Sequence, residues 1–206
     1  MRFGRNSGRS SGQVLRRCQT RRSLKRATNW ASTGAASGNG RVARSTGGEQ
    51  PLVGRAAFTA AYKETFQPEE GLADLLAIGA LPPGKAMRAR AWGPEFEAGV
   101  SRVKIYHRDQ PLDLAEIVPV LERMGLRVQA EVGYPIKLLA HDGESEGKVY
   151  VHDLCIDRPA GQKRLDARFE KAFEAIWARD TENDRFNSLV VALGTDWRSA
   201  ARSEEH

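Results

Sequence analysis

The stretch Arg127-Val128-Gln129-Ala130-Glu131-Val132-Gly133-Tyr134-Pro135-Ile136-Lys137-Leu138-Leu139 decides the fold. In an extended chain successive side chains point to opposite faces. Val128, Ala130, Val132, Tyr134, Ile136 and Leu138 then share one face, and Arg127, Gln129, Glu131, Gly133, Pro135 and Lys137 share the other. That alternation predicts a long strand with one buried face. Pro135 has no N–H to give to a ladder, so it calls for an edge position or a bulge.

Working outward, 148–157 reads as a returning strand after the polar loop His141–Gly147, and Arg158-Pro159-Ala160-Gly161 closes it. Upstream, Ser101–Arg108 alternates, with Val103, Ile105 and His107 opposite Arg102, Lys104, Tyr106 and Arg108. Between these strands lies a helix. Asp113 is its expected N-cap with Glu116 three residues on. Leu114, Ile117, Val118, Leu121 and Met124 form its apolar face, and Gly125 its stop. Pro119 sits deep in that helix and removes one backbone hydrogen bond. Downstream, Leu165, Phe169, Ala172, Phe173 and Ile176 mark a helix, Phe186, Leu189, Val190 and Leu193 a second ending at Gly194, and Thr195-Asp196-Trp197-Arg198 the start of another.

The order strand, helix, strand, strand, helix, helix predicts an α+β fold: a small, mostly antiparallel sheet with helices on one face. Its character is ferredoxin-like, without the strand that would complete the split βαβ pattern. Ahead of it, residues 55–81 read as two helical turns, the first on Phe58, Ala61, Tyr62 and Phe66. Pro68-Glu69-Glu70 opens the second, which carries Leu72, Leu75, Leu76 and Leu81 and ends at Pro82-Pro83-Gly84. Residues 86–98 suggest a short strand followed by a Gly/Pro turn.

The 206 residues carry a formal charge of +6, but unevenly. Residues 1–50 hold ten Arg and Lys25 against Glu49 alone, a balance of +10, so the remainder carries −4. This Arg/Gly/Ser-rich quarter has too few large apolar residues to offset the entropy of ordering it, and is expected to be a disordered basic tail. A nucleic-acid arm would bring interleaved aromatics or a binding module, which do not accompany it. A secretory leader would need an apolar core; a mitochondrial transit peptide fits its composition about as well as translation of GC-rich DNA in the wrong frame. No window nears eighteen consecutive apolar residues, which excludes a membrane-spanning helix. Two cysteines, Cys18 and Cys155, make no disulfide framework, and a reduced cytoplasmic setting is the default.

The search for chemistry yields little. His152 and Cys155 invite a metal, with His107 and His141, but residues three apart on a strand face opposite ways and cannot hold one ion. Cys155 lies between Asp153 and Asp157 on its own face, a poor setting for a nucleophilic thiolate, and reads as a small core residue. Gly34, Gly38 and Gly40 do not follow a strand and make no dinucleotide fingerprint, and no phosphate-cradling Gly-rich run ends in Lys-Ser or Lys-Thr. Asp180, Glu182 and Asp184 read as a solvated turn. No catalytic, cofactor-binding or metal-binding residue is assigned.

Several separated motifs resemble a known family. They are Ala61-Tyr62-Lys63-Glu64-Thr65-Phe66, Leu81-Pro82-Pro83-Gly84-Lys85-Ala86-Met87-Arg88, the stretch from Lys104-Ile105-Tyr106-His107-Arg108-Asp109-Gln110-Pro111-Leu112 through Arg127-Val128, Tyr134-Pro135, Val151-His152-Asp153, and Phe186-Asn187-Ser188-Leu189-Val190 through Trp197-Arg198. Together they are similar to the large bacterial NAD-specific glutamate dehydrogenases over roughly residues 55–200. The resemblance implies an ACT-like regulatory region at 99–160, a helical lead-in and short strand at 55–98, and a truncated helical segment at 161–206. Pro119 belongs to the family's pattern. In that family the catalytic lysine, glutamate pocket and NAD-binding domain lie beyond the Trp197-Arg198 motif, so NAD is implied as cofactor of a parent enzyme and not of this chain. Family members continue there as an apolar helix, whereas this sequence reads Arg202-Ser203-Glu204-Glu205-His206. With the unusual first fifty residues, that suggests a fragment of a gene broken by frameshifts at both ends, or an erroneously assigned gene.

Two functions are thus weighed. One is a regulatory, non-catalytic fragment of a glutamate dehydrogenase, inactive alone. It would sense an effector through Asp109, Gln110 and Asp113 at a helix N-terminus that offers amides to a carboxylate, and would supply homo-oligomer contacts. The alternative is a free-standing regulatory or ligand-binding module with a basic, nucleic-acid-associated tail.

Overall fold

The computed structural model describes residues 55–81, 87–92, 100–139, 145–157 and 164–202. The basic tail, Cys18, Gly34, Gly38, Gly40, Pro82-Pro83-Gly84, His141, the turn at 158–161 and the last four residues lie outside them. In chain order the elements are β1 (Arg55–Ala57), α1 (Ala60–Thr65), α2 (Pro68–Gly79), β2 (Met87–Trp92), β3 (Val100–Arg108), α3 (Leu114–Arg123), β4 (Arg127–Leu139), β5 (Ser145–Asp157) and α4 (Ala167–Trp177). A 3-10 turn at Arg185–Asn187, α5 (Ser188–Leu193) and α6 (Trp197–Ala201) follow. The strands form one sheet in the order β1-β4-β5-β3-β2, with every pairing antiparallel.

The expected α+β architecture is present. The four strands β4-β5-β3-β2 form the open antiparallel sheet, and three-residue β1 extends it at the β4 edge. One face is covered as anticipated. Val103, Ile105, Leu154 and Ile156 pack with Ile117 and Leu121 of α3, Phe169 and Phe173 of α4, and Val190 and Val191 of α5. The expectation of helices on one face alone needs amending, because the other face is covered too. Phe58, Tyr62 and Phe66 of the α1 region, with Leu75 and Ile78 of α2, bury Tyr106, Tyr134, Ile136, Val149 and Val151. A sheet closed on both sides cannot use one side for solvated side chains, and this is what makes the polar phase of β3 unusual.

Local chemistry explains the boundaries. Asp113 caps α3 by accepting from the Ala115 amide at 2.8 Å. At its other end Leu126 N–H reaches Leu121 O and Gly125 N–H reaches Glu122 O, a Schellman closure with Gly125 at φ 78°. The closure after α4 has the same pattern, with Asp180 N–H to Ala175 O and Arg179 N–H to Ile176 O, but the left-handed position is held by Arg179 at φ 61°. Pro68 opens α2 where its missing N–H costs nothing. Leu72 and Leu76, expected with the buried face of α2, point outward at 45% and 51% exposure. Leu114 likewise stands 39% exposed rather than in the apolar face of α3.

Strand β4 departs from simple alternation. Val128 pairs with Ile156 and Ala130 with Cys155, leaving Gln129 as a bulge. The extra residue reverses the facing, so Val128 packs against the α3/α4 core while Val132 packs against the α1/α2 core. Val128 therefore does not share a face with Val132, as strict period two would have it. Pro135 fits the edge expectation locally, since β1 runs beside Lys137–Leu139 only.

Candidate functional site: a clasped turn and a buried charged network

The structure brings Asp109, Gln110 and Asp113 together in the exposed connection from β3 to α3. Asp109 takes a left-handed conformation, φ 67°, and its N–H donates to Lys148 O at 2.9 Å. Opposite it, Gly147 has φ 131°, and a Cβ there would lie 3.4 Å from Asp109 Oδ1. Asp113 spends its side chain on Ala115 N–H, and its carbonyl accepts from Glu116 and Ile117 N–H. An incoming carboxylate therefore competes with Asp113 for the helix amides.

Two histidines from neighbouring strands clasp this turn. His107 Nδ1 lies 2.7 Å from Gln110 O. A carbonyl only accepts, so Nδ1 carries the proton there. His152 does the reverse: its Nε2 accepts from Leu112 N–H at 3.1 Å, which makes Nδ1 the protonated nitrogen facing Glu131 Oε1 at 2.8 Å. His152 is buried, and its cross-strand partner Gly133 brings no side chain over the pair. Parity places His152 with Leu154 and Ile156, and Cys155 on the face of Val149 and Val151. Cys155 is buried, but it is disulfide-bonded, which corrects its reading as a plain small core residue.

The sequence reading missed a second cluster. Lys104, from the nominally polar side of β3, is fully buried and its Nζ lies 2.6 Å from Asp74 Oδ2 and 2.8 Å from Glu70 Oε1. The ammonium also sits 3.7 Å from the Phe66 ring centroid and 4.5 Å from that of Trp92, a cation–π contact on two sides. Tyr106 donates to Asp74 Oδ1 at 2.7 Å and accepts from Arg90 Nε at 2.8 Å, while Tyr62 donates to Asp74 Oδ2. Arg90 pairs with both Asp74 and Glu70. Burial, reinforced by Asp74, holds both tyrosine hydroxyls protonated far above their ordinary range. For Arg90 burial works against the cation, but Tyr106 and Glu70 outweigh it and raise its pKa. Next to this, Asp153 accepts from Trp92 Nε1 at 2.9 Å and pairs with Arg102.

With two cations, two carboxylates and two phenols satisfying one another, this cluster is built to join elements rather than to transfer protons to a substrate. One signal for it was legible. Asp74 falls inside the buried stripe Gly71, Leu75 and Ile78 of α2, an acid on an apolar face that demands a buried partner.

Comparison with known proteins places this arrangement. Residues 87–168 match the family model described as the glutamate dehydrogenase ACT3 domain, and residues 55–81 match that of glutamate dehydrogenase helical motif 2. The chain belongs to the NAD-specific glutamate dehydrogenase family. It is 30% identical over 152 residues to the NAD-specific glutamate dehydrogenase of Halomonas elongata, covering 71% of this chain and 9% of that protein. To the enzyme of that name from Pseudomonas aeruginosa it is 31% identical over 149 residues, 70% of this chain and 9% of the relative. To that of Mycobacterium tuberculosis it is 28% identical over 180 residues, 84% and 11%. It thus corresponds to a fragment about a tenth the length of these glutamate dehydrogenases. The charged cluster lies across the seam of the two matched units: Tyr62, Glu70 and Asp74 belong to helical motif 2, Arg90, Lys104 and Tyr106 to ACT3.

Proposed function

We propose that this chain is a regulatory, non-catalytic part of an enzyme that deaminates L-glutamate oxidatively to 2-oxoglutarate and ammonium with reduction of NAD. By itself it is inactive. The observation that carries this reading is the match of 55–81 and 87–168 to two named glutamate dehydrogenase units. In doubly wound folds a dinucleotide sits at the carboxyl ends of parallel strands beside a helix N-terminus, and the all-antiparallel sheet described here does not supply that crevice. The cofactor belongs to the parent enzyme. Within the regulatory part, Asp109, Gln110 and Asp113 form the effector-contacting turn, the ACT-like sheet supplies oligomer contacts, and the setting is cytoplasmic. Among the described residues no helix is long and apolar enough to cross a membrane. The matched units favour this function over a free-standing module with a nucleic-acid-associated tail.

The test is direct. Purified chain incubated with glutamate and NAD should produce no NADH, and measurable turnover overturns the non-catalytic reading. Translation of the flanking DNA in all frames should reveal further glutamate dehydrogenase sequence in a shifted frame. Clean stops and a ribosome-binding site bracketing this frame would overturn the fragment reading.

A further inference from the structure

The two histidines that clasp the turn respond oppositely to a proton. His107 donates through Nδ1 to Gln110 O, so a second proton on its ring leaves that bond in place. His152 accepts through Nε2 from Leu112 N–H, and a proton on Nε2 would set two donors against each other. We propose that His152 is a proton-operated latch within the β3–α3 turn: neutral, it holds Leu112 N–H; protonated, it keeps Glu131 and lets go of Leu112 N–H, while His107 and Lys148 still hold Gln110 and Asp109. The freed Leu112 amide lies between Gln110 and Asp113, so acidification would loosen the backbone between these effector-contacting residues. That consequence rests on the effector reading above; the latch itself does not.

Around His152 the titratable groups on this sheet face are Glu131 and Lys137 on β4, Tyr150 and Lys148 on its own strand and His107 on β3, with Asp109 and Asp113 in the turn. Of these, Glu131 is hydrogen-bonded to His152 and would stabilise the charged ring, while His107 is spent on Gln110. Asp113 is spent on the α3 cap. Glu131 thus gives the protonated ring a partner, and Leu112 loses its acceptor. Release is local, because Asp109 N–H stays on Lys148 O and Gln110 O on His107.

The experiment follows Leu112 amide exchange and the His152 ring nitrogens by NMR in the full chain, from alkaline to mildly acidic pH. After correction for intrinsic exchange, Leu112 protection should fall roughly fivefold to tenfold as His152 gains its second proton, the loss of one hydrogen bond. Ala115, capped by Asp113, should keep its protection. In His152→Gln, which keeps an acceptor that does not titrate, Leu112 protection should be independent of pH. Unchanged Leu112 protection while the ring becomes doubly protonated overturns the latch, and so does a ring that stays neutral until the chain unfolds. Neither readout needs an effector. Failure to bind glutamate or another amino acid would count against the effector turn and leave the latch standing.

Discussion

The two faces of one sheet are built from different chemistry. Against α3–α6 the core is hydrocarbon, with Phe169, Phe173, Leu121 and Ile156 in contact across it. Against α1 and α2 the core is aromatic and aliphatic at one end and ionic at the other, where Lys104, Arg90, Glu70 and Asp74 interlock beneath Phe66 and Trp92. An apolar core accepts many packings of similar volume, while a buried ion cluster accepts the one arrangement that leaves no charge unpaired. The face that needs a unique docking geometry is the one where helical motif 2 meets ACT3.

That contrast can be broken from either side. Lys104→Met should have the largest effect, destabilising by about 3–5 kcal/mol because Asp74 is left buried beside Glu70 with one cation fewer. Chemical denaturation at neutral pH measures it. Adding Asp74→Leu should recover part of the loss, and a double variant no more stable than the single would show that the charges are not coupled. Phe173→Ala on the opposite face should cost about 3–4 kcal/mol through the cavity it leaves, with no recovery from any charge change.

Smaller effects sharpen the comparison. Glu170 and Glu174 of α4 accept from the outward N–H groups of Ala91 and Ala89 at 2.8 and 3.0 Å, so side chains four apart on a helix cap the β2 edge. Burial holds the Glu174 carboxyl above its ordinary 4.5, partly offset by the Ala89 N–H. A folded pKa above the unfolded one favours folding at low pH, and that benefit is lost as pH rises from the ordinary value through the folded one. Glu174→Gln keeps an acceptor for Ala89. It should lose less stability than the parent chain between acidic and neutral pH, seen in melting temperature against pH; parallel curves would refute this. The smallest effect should come from Arg179→Gly, which relieves a left-handed backbone at a helix end and should stabilise by about 1 kcal/mol.

Much of the fold was legible because hydrophobic period and turn chemistry agree in residues 100–194. Asp113, Gly125 and Gly194 end or begin helices where capping rules put them. What escaped had physical causes. Lys104 and Tyr106 occupy the phase of β3 that water usually claims, and only the docking of α1 and α2 buries them. Leu72 and Leu76 share helical spacing with Leu75, but a helix seated on a twisted sheet through Gly71, Asp74 and Ile78 leaves them outside. The turn residues Asp109, Gln110 and Asp113 could be placed together from sequence. Their clasp could not, since it depends on which nitrogen of each histidine the neighbouring strands present.

The bulge at Gln129 has a consequence for how this segment can vary. One unpaired residue lets a single strand contribute Val128 to one core and Val132, Tyr134 and Ile136 to the other. Deleting Gln129 would restore an unbroken register from Arg127 to Leu138 and at the same stroke turn every residue on one side of it to the wrong interior. In this strand the irregularity, more than any side chain, is the part that chain-length variation cannot touch.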